Sequence, residues 1–172
     1  MADKSHHSDY QSRDYPILED MAYQAKVWRF ERWGWYALVL IIVLAICGLF
    51  SRGPLSTREA HGSDGKVSVK YEMFHRNGSS NPMKITVIGL ANAAVELELA
   101  GELLDGFSIE SMLPEPIRAS SAGQGMKLWL PTDFQGRASL YLTLQGEGLG
   151  FFHTRIASPG AEPVNLNQFI FP

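Results

Sequence analysis

The chain has 172 residues, with 15 Lys and Arg set against 18 Asp and Glu for a formal net charge of −3. Its cations form no stripe, which argues against nucleic acid as a partner. Its single cysteine, Cys47, excludes an intramolecular disulfide.

Residues 1–24, MADKSHHSDYQSRDYPILEDMAYQ, are polar, contain Pro16 and show few periodic apolar positions. This composition predicts a flexible tail. His6 and His7 are neighbours, but adjacent residues on a mobile tail do not make a defined metal site.

A helix is expected over 25–51. Within it the eighteen residues from Trp33 to Phe50 carry no charge. At about 1.5 Å per residue they span roughly 27 Å, near the thickness of a bilayer's hydrocarbon core. A helix buried in a soluble domain would show an apolar stripe, whereas this stretch is apolar on every face. Its N-terminal end gathers Trp28, Arg29, Arg32, Trp33, Trp35 and Tyr36, the amphipathic rings and long cations of a membrane–water interface. The stretch lies deep in the chain and lacks a small-residue cleavage pattern, so it is expected to stay attached as an anchor rather than be removed as a signal peptide. Close to the helix, Lys26, Arg29 and Arg32 outweigh Arg52 and Arg58, which predicts the N-terminus in the cytoplasm. Gly34, Ala37, Ala45 and Gly48 are candidate helix-packing positions, being small enough to admit a close neighbour. Gly53-Pro54 is a stop signal, and 52–65 is read as a polar linker.

After Gly65 the period changes to two. In KVSVKYEMFH, AVELELA and RASLYLTLQ apolar and polar residues alternate, as in strands with one face on a core. KITVIGL, FSIESML, MKLWLP, FFHTRI and LNQFIF are further strand candidates. Asn77-Gly78, Asp105-Gly106, Pro114-Glu115-Pro116, Gly123-Gln124-Gly125 and Pro159-Gly160 punctuate them. Seven or eight short strands over 66–172 predict one antiparallel, immunoglobulin-like β-sandwich outside the cytoplasm.

Two resemblances attach to these residues. The region 66–158, with Pro114, Pro116 and Gly136, is similar to bacterial immunoglobulin-like domains. The junction carrying Trp28, Arg29, Glu31, Arg32, Gly34, Trp35, Gly48, Leu49, Phe50, Gly53, Pro54, Leu55 and Ser56, with the closing LNQFIFP, resembles an uncharacterised family of bacterial single-pass inner-membrane proteins. That resemblance implies topology: helix in the inner membrane, β-domain in the periplasm. It brings no activity with it.

The sequence shows no nucleophile elbow, zinc-protease helix, phosphate loop or paired-cysteine motif. His61, His75 and His153 are scattered, and Glu96 with Glu98 read as a solvated face. Met73, Met83, Met112 and Met126 with His75 and His153 could in principle take copper, but Met73 and Met126 fall on apolar strand positions. No catalytic residue, cofactor or resident metal is therefore expected. What remains is binding: an accessory or scaffold subunit of a membrane complex, with the bilayer and an integral membrane protein as partners. An envelope sensor is the alternative, with a copper carrier or an enzyme behind it. The pleat sharpens the binding expectation. Successive residues face opposite sides of a strand, so Phe151 and Phe152 cannot both face the core, nor can Phe169, Ile170 and Phe171. Phe151, Phe152, Phe169 and Phe171 are the candidate partner contacts.

Overall fold

Residues 21–47, 53 and 55–172 are described by the structure, a computed structural model. Two units are distinguished, 1–40 and 41–172. The helix α1 spans Met21–Ile46, so the last four residues of the expected tail are helical rather than loose. Glycine and proline are absent from it except for Gly34, where a Cβ would meet nothing. Arg29 Nε donates to the carbonyl of Ala25 at 3.3 Å, and the Arg32 guanidinium lies 4.2 Å from the centre of the Trp28 ring. Leu38 to Val43 are exposed in succession, so every azimuth of that stretch is uncovered. Among the described residues no helix is long and apolar enough to cross a membrane. The predicted span runs on to Phe50, and 48–50, with the candidate packing residue Gly48, lie outside the described residues.

Eleven strands follow among the described residues: β1 Thr57–His61, β2 Val67–Glu72, β3 Phe74–Arg76, β4 Ser80–Ile88, β5 Ala94–Gly101, β6 Phe107–Leu113, β7 Arg118–Ala122, β8 Gly125–Pro131, β9 Arg137–Gly146, β10 Gly150–Ala157 and β11 Val164–Phe171. A single helical turn, α2 Leu103–Gly106, links β5 to β6. The strands form two sheets, ordered β1-β2-β4-β9-β6 and β3-β11-β10-β5-β8-β7. Every pairing is antiparallel except β3 with β11, which is parallel. The domain is thus an all-β sandwich, and the alternation read from the sequence sets its two faces. Val67 and Val69 of β2, Ile85 and Val87 of β4, and Leu140, Leu142 and Leu144 of β9 point inward and are buried. Leu97 and Leu99 of β5, Leu128 and Leu130 of β8, Ile156 of β10 and Leu166 and Ile170 of β11 meet them from the second sheet. β4 carries Pro82 in a central strand, which would remove a ladder donor. Pro82 is in phase with Ile88, whose N–H goes to Lys66 on the β2 side, and the pairing to β2 ends at Lys70↔Lys84, so no ladder donor is lost at Pro82.

Three elements depart from the sequence expectation. The polar segment assigned to the linker contains β1, which pairs along its whole length with β2. KVSVKYEMFH is not one strand: it breaks at Met73, and β3 crosses to the other sheet. Arg118–Ala122, too polar to show alternation, forms the hairpin partner of β8.

At the end of the sandwich where β4 ends and β5 begins, two loops interlock. Thr132 Oγ1 donates to the Leu90 carbonyl at 2.5 Å and accepts from Ala93 N–H at 2.9 Å. Asp133 Oδ1 accepts from the N–H groups of Gln135 and Arg137, both at 2.8 Å. Gly136 has φ +76° and a Cβ there would lie 2.5 Å from the Gly89 carbonyl oxygen, so only glycine fits.

Candidate functional site

The opposite end of the sandwich carries the site, and it starts from a histidine. His75 is the middle residue of β3, points inward and is 2% exposed. Its Nδ1 faces the Asn81 amide nitrogen at 2.9 Å, and that nitrogen also lies 3.0 Å from Ser79 Oγ. Asn81 is therefore the donor and Nδ1 the acceptor, which leaves the ring proton on Nε2. Nε2–H donates to the Glu72 carbonyl at 2.8 Å. Burial holds the His75 pKa below its ordinary value, against the opposing pull of the Glu72 carbonyl and carboxylate. The ring also stands edge-on to Phe107 at 4.8 Å. Gln168 and Thr154 extend the polar cluster into β11 and β10, with Thr154 Oγ1 3.4 Å from Gln168 Oε1. His75 on one sheet and Asn81 on the other thus tie the two layers together.

With His75 turned in, the pleat turns Phe74 and Arg76 out. Ser56 fixes the other side of β3: its Oγ accepts from the Phe74 N–H at 3.1 Å and donates to the Phe74 carbonyl at 3.3 Å. Register then brings together residues far apart in sequence. Phe74 stands opposite Phe169 across the parallel pair, and Phe169 stands opposite Phe151 on the antiparallel side. The rings of Phe151 and Phe169 are 4.6 Å apart, those of Phe169 and Phe171 4.7 Å, and those of Phe74 and Phe171 5.8 Å. Four rings therefore form one contiguous row across three strands on the outer face of the six-stranded sheet. Phe151 is 71% exposed, while the other three are half-buried against one another. Next along this face, His153 Nδ1 and Asn167 Oδ1 lie 2.8 Å apart.

Of the four aromatics taken from the sequence, Phe152 does not belong to this row. It faces the core, packs edge-on against Phe107 at 5.8 Å, and lies where a Cβ on Gly106 or Gly148 would collide with its ring. The glycines on either side make room for it. Phe74 is the residue that sequence reading missed. In the run Met73-Phe74-His75 alternation fails over three large side chains, which marks a break in the strand but not the row that Phe74 joins.

The other candidate groups are dispersed. Met83 is buried in the core, Met73, Met112 and Met126 pack against it, and both ring nitrogens of His75 are engaged within the fold. His61 lies 3.7 Å from Glu59. Among the described residues no group of three or more His, Cys, Asp or Glu could hold a metal ion. Glu96 and Glu98 flank Lys127 at 2.9 and 3.8 Å on the outer face, and the pair raises the lysine's pKa, Glu96 contributing most. On the helix, the rings of Trp33 and Tyr36 meet edge-on at 6.5 Å, while Arg29, Trp35, Ala37 and Ala45 are exposed without a common partner.

No family model matches the chain, and no curated protein matches it in sequence. Among solved structures, a cohesin module of a family 33 glycoside hydrolase from Clostridium perfringens is similar to 65% of this chain over 96% of its own, at 8% identity and a TM-score of 0.39. The cupredoxin domain of amoB from Nitrosocaldus yellowstonii is similar to 63% of the chain over 57% of its own, at 11% identity and a TM-score of 0.29.

Proposed function

We propose that this protein is a non-catalytic, membrane-anchored accessory or scaffold subunit of a bacterial inner-membrane complex. Its sandwich, read as immunoglobulin-like, stands on the outer side and holds an integral membrane partner through the aromatic row. The observation that carries this reading is the row itself. Four rings from β3, β10 and β11 touch in sequence on an outer sheet face, headed by a Phe that is 71% exposed. Clustered aromatics of that kind supply large contact area at low conformational cost and are the usual centres of binding energy. The anchor reading is supported by the uncharged run that follows Arg32 and by the exposure of Leu38 to Val43 within it.

The test is extraction of the full chain from its native membrane in several mild detergents. A stoichiometric membrane protein should co-purify, and Phe151→Ser and Phe169→Ser should each release it while the domain still melts cooperatively. Recovery of the chain alone under every mild detergent would end the subunit reading.

A further inference from the structure

A sheet edge offers unpaired N–H and C=O groups, and proteins protect such edges with charge, shortness or bulges. The sandwich has four edges, and three are protected. β1 carries exposed Arg58, Glu59 and His61. β3 is three residues long. β6 is broken by a register shift between Ile109 and Ser111, with exposed Glu110 at the irregularity. β7 is the exception. From Ala119 to Ala122 it has neither charge nor bulge, and its side chains are all small.

We propose that β7 is the contact through which two copies of this chain pair, edge to edge and antiparallel, joining their six-stranded sheets into one. The hairpin geometry supplies the first reason. Ala122 pairs with Gly125 across the two-residue turn, so Ala122, Ser120 and Arg118 direct their main-chain groups to β8. Ala119 and Ser121 then direct theirs to the free edge. An antiparallel second copy centred on Ser120 sets Ala119 against Ser121 and Ser121 against Ala119. Both are hydrogen-bonded pairs, and together they satisfy all four outward groups.

The same register sets the side chains. Arg118 faces the uncharged Ala122 of the second copy, so no like charges meet. Ile117, 64% exposed beside the strand, comes opposite Gly123 of the second copy. A groove of about 330 Å³ lined by Leu104, Ala119, Ser120, Ser121, Gly125 and Met126 runs beside the strand. A two-fold pairing makes the same contacts from both copies, which is the self-complementarity an isologous contact requires.

Ser120 would meet its own counterpart in a non-hydrogen-bonded pair, with Cα atoms about 4.5 Å apart, inside the range a disulfide spans. In full-length protein carrying Cys47→Ser, Ser120→Cys should therefore cross-link into a dimer under mild oxidation by oxidised glutathione. Ser111→Cys, exposed on the β6 edge, should stay monomeric under the same conditions. Adding Ala119→Pro removes only an N–H that faces away from β8, so it should leave melting unchanged and cut cross-linking by roughly tenfold. Light scattering of the unmodified full chain in detergent should give two chains per particle. A mass of one chain, equal cross-linking at 120 and 111, or cross-linking at 120 that survives Ala119→Pro would each overturn the pairing.

Discussion

Phe151 and Phe152 are neighbours in sequence and should behave as opposites when truncated. Removing a buried Phe side chain costs about 3–5 kcal/mol through lost burial and the cavity left behind. Phe152 is partly buried, with Phe107 edge-on at 5.8 Å and Gly106 and Gly148 close to its ring. Scaling for its remaining exposure gives about 2–3 kcal/mol for Phe152→Ala. For a domain of this size each kcal/mol moves the melting midpoint by roughly 3–5 °C, so the variant should melt about 6–15 °C lower. Phe151 is 71% exposed and its main contact is the Phe169 ring at 4.6 Å. Losing one exposed aromatic pair costs about 0.5–1 kcal/mol, a shift of a few degrees at most. The assay is circular dichroism melting of the full chain in detergent, followed at a β-sheet wavelength, with each variant also scored for partner retention. Phe151→Ala should lose the partner and keep its melting point; Phe152→Ala should show the reverse at temperatures where it remains folded. If Phe151→Ala melts as low as Phe152→Ala, the row is part of the core and the sidedness argued for β10 is wrong.

Two further outcomes follow from single side chains. His75 titrates below its ordinary value because it is buried, so the unfolded chain takes up the proton first as pH falls. Its contribution is complete above about pH 6.5 and is lost as pH drops from there through the folded pKa, with a slope of at most about 1.4 kcal/mol per pH unit. Urea midpoints between pH 8 and 5 should fall on acidification, and the fall should flatten in His75→Gln; equal slopes in both proteins would contradict the buried neutral histidine. Thr132→Val removes the hydroxyl that accepts the Ala93 N–H and should cost about 1–3 kcal/mol, read as a lower urea midpoint and faster exchange of the Ala93 amide. An unchanged midpoint and unchanged exchange would show that water replaces the hydroxyl without loss.

Local pattern and tertiary pairing divide this protein between them. The sequence by itself determined the strands whose one face is buried along their whole length. The alternation in AVELELA and RASLYLTLQ is the pleat written in residue types, because inward positions there are apolar to fill the space between sheets. It also determined that the two consecutive phenylalanines of β10 must split between faces, and so placed Phe151, Phe152, Phe169 and Phe171 as candidates for an outer surface; which of the first two faces out was decided by the fold. Edge and switching strands were not legible in this way. β1 and β7 are polar because an edge strand meets the core along little of its length, and they are strands only because β2 and β8 offer them a ladder. The break at Met73 depends on partners that lie distant in the chain: Ser56 and Phe169 take the backbone groups of Met73, through bonds of 2.8 Å each. Asn81 donates to His75 Nδ1 from the opposite layer. The membership of Phe74 in the row was therefore decided by the fold alone. A parallel register between β3 and β11 joins residues almost a hundred positions apart, and no local spacing can encode a pairing whose partner is chosen by burial elsewhere.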